Sequence, residues 1–356
     1  MAVLANPAAT PAPSLSLGRV ADAARQSWPA WLLTFVLAVL ILYPLAMLFW
    51  ASVHTGGPND PSSTFTLDNY QKVFSTASTY ELIWTTTWLA VVRVALGAAI
   101  GIFLAWVVTR TDTPWRRGIE VLVWIKFFAP PLPILVAWAL LAGKNGALNA
   151  ILLNLGVISE PFFNVYSYAG IIWVSIINLA ALMFLLTVPA FRSMDATLED
   201  SARLCGASRL ETLRNVTVPV LLPTILGAIF LAFIFILESF EAEVLFGSPA
   251  KIYVLSTRIF AFTQEFPPDL ASATALSSVF LVAVALLIVL QIRLLRGKSF
   301  ITISGRGFNT QPTPLGRWRW VTFAICILYF FIAAVLPLSV LLLGSVMQAW
   351  GIWNFA

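Results

Sequence analysis

Side chains able to do chemistry are scarce in this chain. Its 356 residues hold 21 lysines and arginines, 16 aspartates and glutamates, one histidine and two cysteines. The densest group lies in residues 195–223, DATLEDSARLCGASRLETLRNVTVPVLLP. It carries four acids (Asp195, Glu199, Asp200, Glu211) and three bases (Arg203, Arg209, Arg214). A thinner group, Arg93, Lys126, Glu238, Glu241 and Glu243, stands in or beside apolar runs. Neither group has a catalytic-triad spacing, a phosphate-binding glycine loop or a metal-ligand pattern. His54 has no partner nearby and reads as an ordinary loop histidine. Cys205 falls in the polar stretch and Cys326 in an apolar run, so they are not expected to form a disulfide. What remains for such residues is recognition, either of a partner protein or of a polar solute inside a membrane.

The elements that must position them are apolar helices. Hydrophobic residues make up 60% of the chain and charged residues 10%, against about a quarter charged in soluble domains. Several runs exceed the roughly 18 apolar residues that mark a spanning helix. An open sheet cannot satisfy its backbone in lipid, so the expected fold is all-α, a polytopic transmembrane helical bundle. Seven spans are expected, at 29–51, 84–109, 119–142, 168–191, 219–243, 271–293 and 319–346. Trp28 and Trp31 anchor the first at the interface. The run is too long for a signal-peptide core, so residues 1–28 read as a flexible tail ahead of an uncleaved span.

Basic residues orient the bundle. With the N-terminus in the cytoplasm, 15 of the 21 lysines and arginines fall on the cytoplasmic side and four outside. That bias sets the topology. It also explains the net charge of +5 without nucleic acid. The polar stretch is then cytoplasmic, and the seventh span ends outside. The first and seventh spans look alike: LYPLAMLFWASV has Pro44 eight residues before Ser52, and VLPLSVLLLGSV has Pro337 eight before Ser345. The expected organisation is a duplicated unit. A first unit of six spans covers 29–296, with its hairpin at about 195–218. A basic linker follows at 297–318, and the first span of a second, truncated unit at 319–356.

Residues 196–205 fit one amphipathic helix, with Leu198, Ala202 and Cys205 at helical spacing. Gly206 suits a left-handed helix end that reverses the chain. Ser208 and Glu211 have capping-box spacing for a second helix. Pro219 opens the fifth span, where a first-turn proline is tolerated.

This hairpin resembles the "EAA" loop of ABC importer permeases: Glu-Ala-Ala, three residues, Gly, then about a dozen residues to Leu-Pro. Asp200, Ser201 and Ala202 stand at Glu-Ala-Ala, Gly206 and Ala207 at the glycine and the residue after it, and Pro219 at the proline. Asp200, Ser201 and Val218 depart from the consensus. The resemblance extends through FTLDNY (65–70), FFAPPLP (127–133), GKNGALN (143–149) and ESFEAEVLFGSPAKIYVLSTRIF (238–260). It is closest to permeases fused as two halves, typified by bacterial ferric-iron importers. Importers of spermidine-like amines, thiamine, sulfate and aminoethylphosphonate share much of the pattern. The resemblance implies an inner-membrane, multi-pass permease that is not itself an enzyme and binds no cofactor. It implies a cytoplasmic ABC ATPase dimer that uses the ATP, a periplasmic solute-binding protein, and a second permease half or subunit. Glu199, Asp200, Ser201, Ala202, Gly206, Ala207 and Pro219 would then contact or transmit from the ATPase.

The intramembrane group supplies path candidates: Arg93, Pro130, Pro131, Glu238 and Glu241. Glu238 and Glu241, three residues apart, share a face if the helix runs through them. They would suit a cationic cargo near an outer gate. Arg93 and Glu238 either line the path or pair with each other. Lys126 is expected to snorkel towards the cytoplasm, and Glu243 to sit in the outer interface. Pro130, Pro131 and Pro133 break the third span, either as a packing kink or as the border of a route. An ion-driven secondary transporter would need no docking hairpin. A membrane enzyme would need a cluster of His, Asp or Glu at one membrane face, and there is none.

Overall fold

The computed structural model describes residues 17–56, 61–194, 196–295 and 312–346. Most of the tail at 1–28, most of the linker and the last ten residues lie outside them. So do Asp195 and the side chains of Asp200, Arg203 and Arg209. Seven helical segments are long and apolar enough to cross a membrane: Trp28–Ser52, Ala77–Arg110, Pro131–Asn154, Tyr168–Ser193, Arg214–Leu237, Leu270–Leu295 and Trp318–Val346. Among the described residues there is no strand beyond two isolated bridges. The all-α bundle of seven spans is therefore what forms.

Helix α1 (Leu17–Ser52) leads to the short α2 (Asp68–Phe74) and the long α3 (Ala77–Arg110). Then come α4 (Arg116–Phe128), α5 (Pro131–Ala142), α6 (Ala147–Asn154) and α7 (Tyr168–Ser193). Helices α8 (Ala196–Leu204) and α9 (Arg209–Thr212) form the hairpin, and a π turn (Leu213–Thr217) joins it to α10 (Val218–Leu237). Beyond α10 lie a π turn (Glu243–Gly247), α11 (Leu255–Gln264) and α12 (Leu270–Leu295). The last span is α13 (Trp318–Phe330), a π turn and α14 (Leu336–Val346).

The core is built on α3 against α7. Gly97 and Gly101 of α3 make the approach possible, in the small-residue spacing that lets membrane helices close up. A Cβ on Gly101 would lie 2.5 Å from the Ala180 carbonyl oxygen, and one on Gly97 2.8 Å from the Leu179 side chain. Leu89, Ala90, Ile171, Ala180, Met183 and Phe184 are fully buried along this seam. Helix α10 packs on both α3 and α7, and α1 lies along α12.

The third span is interrupted within 119–142, as its prolines predict, whereas the fifth differs from expectation. Proline at 130 and 131 ends α4 at Phe128, and Ala129 and Pro130 are extended (ψ 132° and 131°) before α5 begins. The fifth does not run to 243: α10 stops at Leu237. Glu238 and Glu241 therefore do not share a continuous helical face.

The far end from the hairpin is tied by the FTLDNY segment. The Asn69 amide donates to the carbonyls of Ser52 and His54, both at 3.1 Å. The Tyr70 hydroxyl donates to Ser52 Oγ at 2.8 Å and meets Ser278 Oγ at 2.8 Å. Asn149 of GKNGALN donates to three carbonyls and accepts from the Phe162 and Phe163 amides, which closes the 143–163 loop. The seventh span docks on α4 and α5. Thr322 meets Thr113 at 2.7 Å, Tyr329 donates to the Ile177 carbonyl at 2.8 Å, and the Leu315 amide donates to Asp112 at 2.7 Å. Cys205 is exposed and Cys326 buried, and both are free thiols.

Candidate functional site

The hairpin folds as its local residues dictate. Gly206 takes φ +91°, and the Ala207 amide donates back to the Ala202 carbonyl at 3.1 Å. Together these form a Schellman end to α8. The Ser208 amide donates to Glu211 Oε2 at 2.7 Å and the Glu211 amide to Ser208 Oγ at 3.3 Å, a complete capping box. The Ser208 backbone amide, then its hydroxyl, hold the Glu211 carboxyl below the usual carboxylate range. Pro219 is the second residue of α10, where its missing N–H costs nothing.

Glu199 turns inward rather than toward solvent. It is buried, and its carboxylate accepts from the Thr217 hydroxyl at 2.7 Å. Thr217 is itself buried in the π turn that becomes α10. Helix α8 is thus tied by a charge-assisted bond to the foot of a spanning helix. Ser201 donates to the Thr197 carbonyl of its own helix. Leu198 and Leu204 are 46% and 89% exposed, leaving an apolar stripe uncovered.

The second region lies where α4, α5, α7 and the end of α10 meet. A cavity of about 600 Å³ is lined there by Lys126, Pro131, Ser175, Asn178, Glu238 and Glu241, among others. That volume suits a small solute. Pro131, Glu238 and Glu241, three of the five path candidates, are brought together. Pro130 sits in the break beside them, and Arg93 lies outside the lining. Glu238 and Glu241 are exposed.

Arg93 is 1% exposed and pairs with Glu243, not with Glu238. Its Nε donates to the Leu89 carbonyl at 3.1 Å. Ser239 donates to the other Glu243 oxygen at 2.8 Å. The Glu243 side chain is buried in the core rather than exposed at a surface. Such an acid must be paired to remain charged, and pulling it onto Arg93 turns the chain away from α10. Ser175 and Ser239, which line the cavity, both touch this pair, so it lies directly behind the lining. The apolar flanks of Glu243, in AEVLFG, were the available sign of its burial.

Lys126 does not snorkel. It is 2% exposed, and its Nζ donates to Asn178 Oδ1 at 2.6 Å. Among the described residues no carboxylate lies within ion-pair distance of it. It lies in the last turn of α4, just before the break that Pro130 makes.

A third feature had no forecast in the sequence. At the far end, α2, the start of α3, α11 and the start of α12 enclose about 540 Å³ lined by Lys72, Lys251, Arg258 and Glu81. Lys72 pairs with Asp269 at 2.6 Å, and Arg258 with Glu265 at 3.5 Å while lying 4.2 Å over the Phe262 ring. Burial raises the Asp269 carboxyl, but Lys72 and Ser272 bring it below its ordinary range on balance. Lys251 is exposed, takes a left-handed φ of +58°, and joins none of the ion pairs among the described residues. Lys72 stands more than 170 residues before Lys251 and Arg258, so only the fold assembles the three.

Residues 97–298 match the family model described as "Binding-protein-dependent transport system inner membrane component". Among curated proteins, the ferric transport system permease of Actinobacillus pleuropneumoniae is 20% identical over 90% of this chain, and a putative one of Haemophilus influenzae 22% over 81%. The chain spans about half the length of these relatives, 46% and 45%. A sulfate transport permease of Escherichia coli is 27% identical over 56% of the chain and 64% of its own length. A bacterial ABC transporter that imports the acidic polysaccharide alginate shares the fold, with TM-score 0.64 and 19% identity over 78% of this chain and 98% of that one.

Proposed function

Because the chain belongs to the family of binding-protein-dependent transport system inner membrane components, and is thus an ABC importer permease subunit, we propose how it works and what it carries. Seven apolar helices make it a multi-pass inner-membrane protein. The single observation that carries the mechanism is the tie between Glu199 and Thr217. It joins the exposed apolar face of α8 to the foot of α10, whose other end opens onto the 600 Å³ cavity. An ATPase docked on Leu198, Leu204 and the positions Asp200 to Ala207 moves the hairpin. The Schellman end and capping box keep it rigid, and the motion passes through Pro219 into α10. ATP is bound and hydrolysed on that partner, and this chain holds no cofactor. The hairpin faces the cytoplasm, with the N-terminus on the same side. A periplasmic binding protein delivers solute to the far end, and a second permease unit completes the path on the open side of Glu238 and Glu241.

Ferric iron is the first reading of the cargo. It is supported by ferric permease relatives that align over most of the chain and by the two exposed glutamates. A small polar anion is the second reading. It is favoured by the buried Lys126 and by the sulfate permease relatives. A polyamine permease of Haemophilus influenzae also aligns, over 67% of the chain, but a polyamine leaves Lys126 without a counterpart.

The test is deletion of residues 198–212 in the full transporter. Membrane insertion is expected to persist, while co-purification of the ATPase and ATP-driven uptake are lost. Retained association would overturn the docking assignment.

A further inference from the structure

Two buried bases lie on either side of the same cavity wall, and the fold treats them oppositely. Arg93 is matched by Glu243 and further bonded to the Leu89 carbonyl, outside the cavity lining. Lys126 is as deeply buried, yet its polar partner is the neutral Asn178, and it lines the cavity. A buried ammonium without a counter-charge is strongly disfavoured, and within a membrane such a residue marks a solute pathway by default. The carboxylates of Glu238 and Glu241 line the same cavity but stay exposed, outside ion-pair reach of Lys126. The missing counter-charge therefore has room to arrive from the cavity.

We propose that Lys126, oriented by Asn178, recognises an anionic group on the transported solute: a carboxylate, sulfate or phosphate-type oxyanion. The proposal rests on reading this cavity as the path. Glu238 and Glu241 then face the remainder of the solute, so that part is neutral or cationic. If the cargo contains ferric iron, it enters as a complex whose ligand carries the negative charge. Lys126 is a specificity-determining residue rather than part of the coupling machinery.

The experiment uses the full transporter, assembled with its ATPase and second permease unit in detergent. Its unfolding midpoint is read with sulfate, phosphate or citrate, and separately with putrescine, at matched ionic strength. At least one anion is expected to raise the midpoint, and putrescine is not. Lys126→Gln should weaken the effective anion about tenfold or more, the size of a lost charge-assisted hydrogen bond, while Lys126→Arg keeps most of it. Asn178→Asp supplies an internal carboxylate to Lys126, so it should fold at least as well and lose the anion effect. The proposal is overturned if no anion shifts the midpoint, if only putrescine does, or if Lys126→Gln and Asn178→Asp respond like the parent. ATP hydrolysis by the assembled complex is measured in parallel. Its absence in the parent would count against the permease reading, not against Lys126.

Discussion

Arg93 and Glu243 are both 1% exposed at the side chain, and their pairing holds the segment after α10 against α3 and α7. Removing one partner strands the other charge in the core, at a cost of about 3–5 kcal/mol. Glu243→Gln or Arg93→Met should therefore lower the yield of folded protein and its detergent unfolding temperature sharply. The double variant Arg93→Met, Glu243→Met should recover much of the loss, because two apolar groups of similar size need no counter-charge. If the double variant is as unstable as either single one, the pair is not what fixes this segment. At this scale the sequence identified the charged residues but not their partners. Arg93 meets an acid 150 positions away. Choosing between Glu238 and Glu243 depended on where α10 ends.

That ending is a property of elements. The capping box, Gly206 and the prolines at 130 and 131 act on their immediate neighbours, so the hairpin and the third-span break could be read from the chain directly. Nothing after Gly227 in the apolar run 218–237 breaks a helix locally; its stop comes from tertiary contacts around Ser239 and Glu243. The Glu199 tie was hidden for the same reason, since Thr217 is a threonine among apolar residues with no spacing signal. The α3–α7 seam offers a direct check. A Cβ at Gly101 would lie 2.5 Å from the Ala180 carbonyl and the Met183 Cβ, closer than atoms pack. Gly101→Val should force the helices apart and abolish a monodisperse peak on gel filtration. Gly156→Ala, where a Cβ meets nothing within 4 Å but φ is +67°, should leave the bundle assembled with a small loss of stability. A Gly101→Val protein that elutes and unfolds like the parent would show that the seam is not close-packed.

For the whole molecule, the sidedness proposed from the basic-residue bias can be tested with the two native cysteines. Cys205 is exposed in the hairpin and Cys326 is buried in the seventh span. A membrane-impermeant maleimide should label Cys205 in inside-out vesicles and leave it unlabelled in intact spheroplasts. Cys326 should react only after denaturation. Labelling of Cys205 from the outside would reverse the orientation drawn from the lysines and arginines. Span number and class were legible because apolar length is summed over some twenty residues and tolerates local error. The two cavities were not, since each gathers side chains from at least three helices. The docking of the seventh span on α4 and α5 has a consequence for how the chain can be divided. By sequence likeness, a unit boundary falls in the basic stretch before Trp318. By contact, α13 and α14 cover the flank of the very break that shapes the inner cavity. A gene split at the basic stretch would separate two stretches that solvate each other, and the piece ending there would present a bare apolar flank to lipid or to a stray neighbour. On the duplicated organisation expected from the first and seventh spans, the repeating unit and the folding unit would overlap by one helix.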